Sequence, residues 1–273
     1  MNKKLFVFTG FVLIALISFS LLFAFRKKAP LDKSASGKLG VSLAALSAKA
    51  AELETKGNIN EAKLALQELI NEFPSSPEIM NWQKKVEELN IKALFSGTPV
   101  PKSVTYEIKP GDTLIKIAKN FKTTTELIMK SNNLADDKII PGRKIKVWNA
   151  PFSILVDKSQ NSLILKSDEE IIKTYIVSTG ANNSTPVGNF KIVNKLKDPT
   201  WFKSGAVVPP GSAGNVLGSR WMGFDLPGYG IHGTTEPESL GRQVTQGCVR
   251  LRNSDVEELY AIVPAGTEVA VVD

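Results

Sequence analysis

Hydrophobic positions divide the chain into stretches with different periods. Residues 5–25 form one uncharged apolar run. From residue 41 to 95, apolar residues recur every three or four positions, which predicts short helices. From residue 150 to 273 they fall in short runs separated by turn residues, which predicts a β-rich, sandwich-like domain with one helix at 255–262. The pattern therefore predicts a multidomain α+β protein.

The first apolar run is long enough to cross a membrane. Its 21 residues, Leu5–Phe25, would span about 30 Å of hydrocarbon at about 1.5 Å per residue. A cleavable signal peptide is the alternative, but its apolar part is usually about 7–15 residues and ends in small residues suited to cleavage. We expect an uncleaved transmembrane anchor with basic flanks at 1–28 and a flexible spacer at 29–40.

Basic residues beside this run account for most of the positive charge. The formal net charge is +7, and residues 1–28 contribute +5 of it. The other 245 residues therefore carry only +2 and contain no basic stripe interleaved with aromatic residues, so we expect no nucleic-acid partner. The chain has one cysteine and one histidine. An internal disulfide is thereby excluded, and we expect no structural zinc site.

The helical stretch at 41–95 resembles a single tetratricopeptide-type repeat. Gly57 is expected to end its first helix, Asn60 to cap the second, and Ser76-Pro77 to begin the third. One such repeat buries little apolar surface without neighbours. The segment is therefore interpreted as either a helical spacer or a docking face for a protein partner.

A linker at 96–103 precedes a compact unit at 104–149. A strand begins at Thr105, Asp112 is expected to cap a helix, and Thr124 or Thr125 a second helix. A turn and a strand at 139–147 complete a strand–helix–helix–strand order.

This unit resembles the lysin-motif (LysM) family. The resemblance is carried by the run Tyr106-Glu-Ile-Lys-Pro-Gly-Asp-Thr-Leu114, by Asn133-Leu134, and by Ile140-Pro-Gly-Arg143. The family binds polymers that contain N-acetylglucosamine, in a shallow groove between two loops. The resemblance implies that the groove consists of Gly111, Asp112, Thr113, Leu114, Ile139, Ile140 and Pro141.

Candidate chemistry lies in residues 232–253, which hold both the single histidine and the single cysteine. A free thiol has a pKa of about 8.5, so an imidazole must take its proton or stabilise its thiolate. Gly247 permits a positive φ beside Cys248, and the Arg250 guanidinium could hold a carboxylate or form a structural ion pair. Ser254 and Glu257 are spaced as a capping box. A lone cysteine is also commonly a buried small hydrophobe.

The same stretch resembles the signature of the L,D-transpeptidase (YkuD-like) family. That signature is a His-Gly pair followed, after a spacer, by Ser/Thr-x-Gly-Cys-hydrophobic-Arg-hydrophobic-x-Asn. Many members have a second histidine where this chain has Gln246. The runs Ser178-Thr-Gly180, Ser184–Phe190 and Tyr229–Gly233 extend the resemblance over residues 150–273. It implies Cys248, His232 and Gly247 as catalytic residues and Arg250, Gly233, Thr245 and Asn253 as substrate-binding residues.

The resemblance also implies a reaction on peptidoglycan. The Cys248 thiolate would attack the bond between the diamino acid and D-alanine of a tetrapeptide stem, and an amine would then accept the acyl group in a 3→3 cross-link. This reaction needs no metal and no organic cofactor. Carboxypeptidase activity, attachment of a protein to the wall, and a non-enzymatic wall-binding role are alternatives.

Residues 195–217 would form a lid or wall over the site. We expect the LysM and catalytic domains on the extracytoplasmic side of the membrane, since the substrate is there.

Overall fold

The computed structural model describes residues 42–203, 205–212 and 214–273. The predicted anchor at 1–28 and spacer at 29–40 lie outside these residues. Among the described residues, no helix is both long and apolar enough to cross a membrane. The predicted fold class is corrected on this point, because the transmembrane helix that it included is not supported.

The described elements follow the predicted order of helical segment, mixed unit and β-rich domain. The helices are α1 Leu43–Thr55, α2 Ile59–Glu72, α3 Ile79–Phe95, α4 Leu114–Asn120, α5 Thr125–Ser131 and α6 Asn253–Ile262. The strands are β1 Ser103–Glu107, β2 Lys144–Trp148, β3 Phe152–Asp157, β4 Ser162–Ser167, β5 Glu170–Ile176, β6 Thr179–Gly180, β7 Gly188–Lys197, β8 Trp201–Lys203, β9 Ala206–Val208, β10 Arg220–Phe224, β11 Gly230–His232, β12 Gln243–Thr245, β13 Val249–Arg250 and β14 Glu268–Val272.

Helices α1, α2 and α3 bury one apolar stripe each in a shared core. The Ser42 hydroxyl caps α1 by accepting a hydrogen bond from the Ala45 N–H (3.1 Å). Helix α2 begins at Ile59, before the predicted cap Asn60. Helix α3 begins at Ile79 instead of at the predicted Ser76-Pro77, because the Ser76 hydroxyl accepts the Glu78 N–H and closes a separate turn.

The helical segment covers the edge of the main sheet through α3. The buried Asn90 amide donates to the carbonyls of Ile171 and Ile172 on β5 (3.1 Å each). The Glu87 carboxylate accepts the Thr174 N–H from the same strand (3.1 Å). Because an uncovered edge strand is a template for pairing with another chain, this packing protects β5. Binding of another protein to the segment stays a prediction.

The mixed unit has the expected strand–helix–helix–strand order, with β1 and β2 paired antiparallel. Thr113, and not the predicted Asp112, caps α4 by accepting the Lys116 N–H (3.2 Å). The Asp112 carboxylate is used differently, since it accepts the Lys109 N–H and the Tyr106 hydroxyl (2.8 Å each). It therefore closes the turn between β1 and α4.

Contacts join this unit to its neighbours on both sides. The Thr124 hydroxyl caps α5 and also donates to the Ala261 carbonyl in α6. Glu126 pairs with Lys197 on β7 (3.0 Å), and the Lys146 ammonium donates to the Ser96 carbonyl after α3 (2.9 Å). The described residues consequently form one compact unit, and the predicted linker at 96–103 does not separate independent bodies.

The β-rich domain is built on one continuous sheet in place of the predicted sandwich. The strand order is β13-β11-β10-β7-β14-β3-β4-β5. The β11–β13 and β14–β3 pairs are parallel. Burial alternates along β3 and β4, as expected of strands that cover a core with one face. Helix α6 packs near β10 and β11. The pairing of β11 with β13 places His232, at the end of β11, opposite Arg250.

Two pairs of short strands lie at the end of the domain that carries the candidate site. Strand β12 pairs with β6 in parallel, and β8 pairs with β9 as a hairpin. Both pairs escaped sequence analysis because each strand spans only two or three residues, too few to show a period. The hairpin lies within the stretch 195–217, which was predicted to form a lid or wall over the site.

Candidate active site

His232 ends strand β11 in the interior of the domain. Its backbone is held between Trp221 on β10 and Arg250 on β13, and the ring stacks on Trp221 with centroids 6.1 Å apart. The imidazole is 3% exposed. Its Nδ1 lies 2.6 Å from the Gly233 carbonyl oxygen. Since a carbonyl can only accept, Nδ1 carries the proton and Nε2 retains a lone pair.

Cys248 lies on the turn that joins β12 to β13. The Thr245 hydroxyl donates to the Cys248 carbonyl (2.6 Å) and accepts the Gly247 N–H (3.2 Å). This one side chain therefore ties the ends of the turn together. The Cys248 thiol lies 3.5 Å from the Gly228 carbonyl. Thr245, predicted as a substrate-binding residue, also has a structural role in shaping the turn.

Gly247 is required at this turn for two reasons. Its φ is +126°, a conformation that side-chain-bearing residues rarely adopt. A Cβ here would also stand 2.6 Å from the Tyr229 ring and 3.3 Å from the Ser184 carbonyl. Gly180 on β6 packs so closely that its own Cβ would come within 3.0 Å of the Gly247 Cα. The turn is thus enclosed by two segments that are distant in sequence.

Cys248 and His232 open onto one cavity of about 720 Å³. Arg250 and Thr245, the two residues predicted to bind substrate from either side of Cys248, line it together with Gln246. One wall is aromatic and apolar, formed by Trp201, Phe202, Leu217, Trp221 and Tyr229. Phe202 on the β8–β9 hairpin is 75% exposed. The stretch 195–217 therefore contributes a wall of the cavity.

Arg250 makes an ion pair inside this cavity. Its Nη1 donates to the Glu236 carboxylate and to the Ser239 hydroxyl (2.9 Å each). Nε of the same guanidinium is buried and has no hydrogen-bond partner among the described residues. Sequence analysis left open whether Arg250 holds a substrate carboxylate or a structural ion pair. The structure contains the ion pair, with a guanidinium that still faces the cavity.

Gly233 and Asn253 lie behind the histidine instead of on the cavity wall. The Asn253 side-chain oxygen accepts the N–H groups of Ser219 (3.1 Å) and Thr234 (3.0 Å). It presses against Gly233, where a Cβ would clash with it. Asn253 therefore holds the peptide segment whose carbonyl orients His232. Asn253 begins α6, with Arg252 at the cap position and no capping side chain, so the predicted capping box of Ser254 and Glu257 is wrong.

Burial sets the ionisation of both reactive groups. It lowers the pKa of the His232 imidazole to about 4, helped by the positive charge of Arg250 and opposed by the hydrogen bond with Gly233. Burial also raises the pKa of the Cys248 thiol, against the smaller opposing effects of the Gly230 N–H and Arg250. Each group is therefore neutral at neutral pH, as a thiol and an uncharged imidazole.

The residues predicted for glycan binding occupy two adjacent loops of the mixed unit. The Ile108 backbone bonds to both Arg143 (3.0 Å) and Gly142 (2.8 Å), which brings the loops together at their bases. Ile140 is 68% exposed, whereas the Leu114 side chain is buried in the core of the unit. Asp112 and Thr113 make the turn and cap contacts described above, and Gly111 has a positive φ of +85°. Ile139 packs partly against the same core, and Pro141 is exposed.

Sequence analysis did not single out Glu236 or the hairpin aromatics Trp201 and Phe202. Glu236 follows His232 by four residues, and this short spacing was the available signal. No periodic pattern marks it, because its position depends on the 3₁₀ turn at Pro237–Ser239.

A buried imidazole and a thiol on a glycine turn open onto one cavity of a β-rich domain, and these are groups that thiol-dependent acyl transfer uses. Residues 151–271 match the model of the L,D-transpeptidase catalytic domain, YkuD, and residues 106–148 match that of the LysM domain.

Similar proteins carry the corresponding names. The Bacillus subtilis (strain 168) protein named "Putative L,D-transpeptidase YkuD" is 33% identical over 175 residues, which cover 62% of this chain and 98% of that protein. "Putative L,D-transpeptidase YqjB" of the same organism is 38% identical over 126 residues, covering 44% of this chain and 70% of that protein. The chain belongs to the L,D-transpeptidase family and is an enzyme of that class, and its two matched domains associate it with peptidoglycan and the cell wall.

Proposed function

We propose that Cys248 is the nucleophile and His232 the general base of this L,D-transpeptidase. The observation that carries the proposal is the hydrogen bond between His232 Nδ1 and the Gly233 carbonyl (2.6 Å). It leaves Nε2 as the nitrogen that can accept a proton on the cavity that Cys248 shares. A nucleophile, a base and a group that orients the base form the usual minimum for covalent catalysis.

The donor half-reaction begins from a neutral pair. The Cys248 thiol proton passes to His232 Nε2 as Sγ attacks the carbonyl of the diamino acid. The bond to the D-alanine nitrogen then breaks, His232 returns the proton to that nitrogen, and D-alanine leaves. A thioester on Cys248 remains. Because burial disfavours both the free thiolate and the imidazolium, proton transfer is coupled to attack instead of preceding it.

The oxyanion of this step would be stabilised by backbone N–H groups at the turn, including that of Cys248. Gly247 and Thr245 support this role, because together they hold the turn in one conformation. Arg250 would orient the anionic donor stem, since its guanidinium lines the same cavity. Gly233 and Asn253 would act through His232 and not on the substrate.

The acceptor half-reaction returns the enzyme to its starting state. A neutral amine attacks the thioester carbonyl, a proton from its nitrogen passes to His232, and the Cys248 thiolate leaves and takes that proton. An amine from a second stem gives a 3→3 cross-link. Water in the same place gives carboxypeptidase activity, and a protein lysine gives attachment to the wall.

The LysM domain would hold the glycan strand while the catalytic domain acts on the peptide. Ile140 supports this role as an exposed apolar side chain on the predicted groove. The groove would be formed by Gly111, Asp112, Thr113, Leu114, Ile139, Ile140 and Pro141, with Leu114 contributing backbone only.

The test uses the full chain with disaccharide-tetrapeptide, followed by product masses. We expect a dimer that has lost one D-alanine, and an acyl adduct on Cys248 that is absent in Cys248→Ala. Tripeptide without dimer would assign hydrolysis. Absence of both products together with absence of an adduct would overturn the assignment of Cys248. The full chain is needed because removal of residues 42–95 would uncover β5.

A further inference from the structure

The candidate cavity contains one unexplained pair of opposite charges. Among its lining residues that the structure describes, Glu236 is the single carboxylate and Arg250 the single guanidinium. Arg250 has a counterpart in the family signature, but Glu236 does not, and no step of the reaction proposed above uses it.

The two charges are not equally accessible. The Arg250 side chain is 9% exposed and also donates to the Ser239 hydroxyl. The Glu236 side chain is 54% exposed. Its Oε2 accepts from Arg250 (2.9 Å), while Oε1 has no hydrogen bond or ion pair among the described residues. Both side chains line the cavity, but the carboxylate is the more accessible charge of the pair, because the cation is largely buried and the anion is half-exposed.

The backbone fixes where this carboxylate stands. The Glu236 N–H donates to the Thr234 hydroxyl (2.9 Å), and the Glu236 carbonyl accepts the Ser239 hydroxyl (2.7 Å). Thr234 is in turn held by Asn253, which also positions the carbonyl beside His232. Glu236 and the candidate base are thus parts of one hydrogen-bonded segment, and their relative position is preorganised.

We propose that Glu236 binds the acceptor as an aliphatic primary ammonium ion, and so selects amines over water for the second half-reaction. The inference rests on the function proposed above. An amine acceptor is protonated in bulk solution at neutral pH, since aliphatic amines of the lysine type have a pKa of about 10.4. A carboxylate with a free oxygen attracts that cation and forms a charge-assisted hydrogen bond with it. The same recognition serves a stem amine and a protein lysine.

The proton balance of the step is complete. The bound ammonium loses one proton to water and becomes the neutral amine, which then attacks the thioester. Its second proton leaves through His232 to the departing Cys248 thiolate. The net change is thioester plus ammonium to amide, thiol and one released proton. Glu236 binds and releases the cation without a net change in its own protonation.

The test separates the acceptor from the donor step with Glu236→Gln. An amide oxygen can still accept from Arg250, so the variant removes a charge while keeping the hydrogen bond. Glu238→Gln is the matched control, because it removes the same charge from the same exposed turn and does not line the cavity. For the full chain of each variant, D-alanine release from disaccharide-tetrapeptide is measured without added acceptor. Transfer is then measured at increasing concentrations of Nα-acetyl-lysine amide, which gives the half-saturating acceptor concentration.

We expect Glu236→Gln to raise the half-saturating acceptor concentration about tenfold, as for loss of one charge-assisted contact, and to shift products from transfer to hydrolysis. D-alanine release should change much less, and the Glu238 control should match the unmodified enzyme. For hydroxylamine, an acceptor that is uncharged at neutral pH, the half-saturating concentration should rise far less than for the lysine amide. Glu236→Asp should retain more charged-acceptor binding than Glu236→Gln.

An unchanged half-saturating acceptor concentration in a folded Glu236→Gln enzyme would overturn the proposal. An equal rise in that concentration for charged and uncharged acceptors would also overturn it. Glu236 would then serve only to neutralise Arg250. Failure of the unmodified enzyme to release D-alanine is a different result, since it would overturn the assignment of the donor step and not that of Glu236.

Discussion

Gly111 and Gly247 both form turns with positive φ beside a candidate binding site, yet their surroundings are opposite. At Gly111, with φ +85°, a Cβ would meet nothing within 4 Å. At Gly247, with φ +126°, it would meet the Tyr229 ring at 2.6 Å. The LysM turn is therefore specified by local backbone conformation alone. The turn that carries Cys248 is specified by packing from segments around Ser184 and Tyr229, which the rest of the sheet must first bring together.

The same contrast extends to the polar groups of the two regions. Asp112 at the LysM turn bonds to residues three and six positions away in the chain. Asn253 in the catalytic domain bonds to N–H groups 34 and 19 positions away. Local contacts form with little loop-closure entropy, whereas distant ones depend on the whole domain. Damage to the catalytic turn should consequently have larger effects than damage to the LysM turn.

Gly247→Ala should give the largest effect. The new methyl group must displace Tyr229 or the turn itself, and backbone strain at positive φ adds about 1–3 kcal/mol. Because a displacement of about 1 Å can cost about 100-fold in rate, we expect D-alanine release to fall by about that factor or more. A combined Gly247→Ala, Tyr229→Ala variant should recover part of the loss if the ring is the obstacle. Activity of the single variant close to that of the unmodified enzyme would contradict the packing account.

Asn253→Ala should have the next largest effect. It leaves the Ser219 and Thr234 N–H groups without their acceptor, which we expect to lower the free energy of unfolding by about 1–3 kcal/mol. Without the Asn253 side chain against it, Gly233 should no longer keep its carbonyl fixed beside His232, so both tautomers of the imidazole should be populated. Since the chain has one histidine, ¹⁵N labelling of histidine gives a single imidazole spectrum that reports the tautomer directly. Asn253→Asp retains the acceptor oxygen and should keep the Nδ1–H form; loss of that form in both variants would argue against the role of the oxygen.

The pH dependence of acylation should show the buried environment of His232. Its pKa of about 4 predicts that the acidic limb of D-alanine release lies near pH 4 instead of near the ordinary value of about 6.5. The unfolded chain binds its proton at the higher pH and the folded chain does not, so stability should decrease as pH falls from about 6.5 towards 4. A limb near 6.5 in both the rate profile and the histidine titration would exclude this neutral, buried base.

Gly111→Ala should give the smallest effect. The substitution costs about 1 kcal/mol from the positive φ, with no steric contact to add to it. We expect a thermal unfolding midpoint lowered by a few degrees and unchanged acylation of Cys248. A loss of acylation as large as that of Gly247→Ala would show that the two turns are coupled, and would remove the distinction drawn between them.

Residue types and local spacing determined several features of this protein in advance. A single cysteine and a single histidine leave one possible pair for thiol chemistry, and the strand–helix–helix–strand unit follows from local turns and apolar periods. A positive φ at Gly247 was also among the conformations expected beside the cysteine. These features depend on residue identity and on neighbours within a few positions, so the amino-acid sequence suffices to predict them.

Other features were decided only by the tertiary structure. The predicted capping box at Ser254 is wrong because α6 already begins at Asn253, whose side chain bonds to Ser219 and Thr234. The packing of α3 on β5 is set by the hydrogen bonds between the Asn90 amide and two carbonyls of that strand. The Glu236 carboxylate is paired with Arg250, which is fourteen positions away and lies on another element. In each case a polar group had several possible partners in the sequence, and the requirement that buried donors and acceptors be satisfied selected one of them only after the sheet had closed around it.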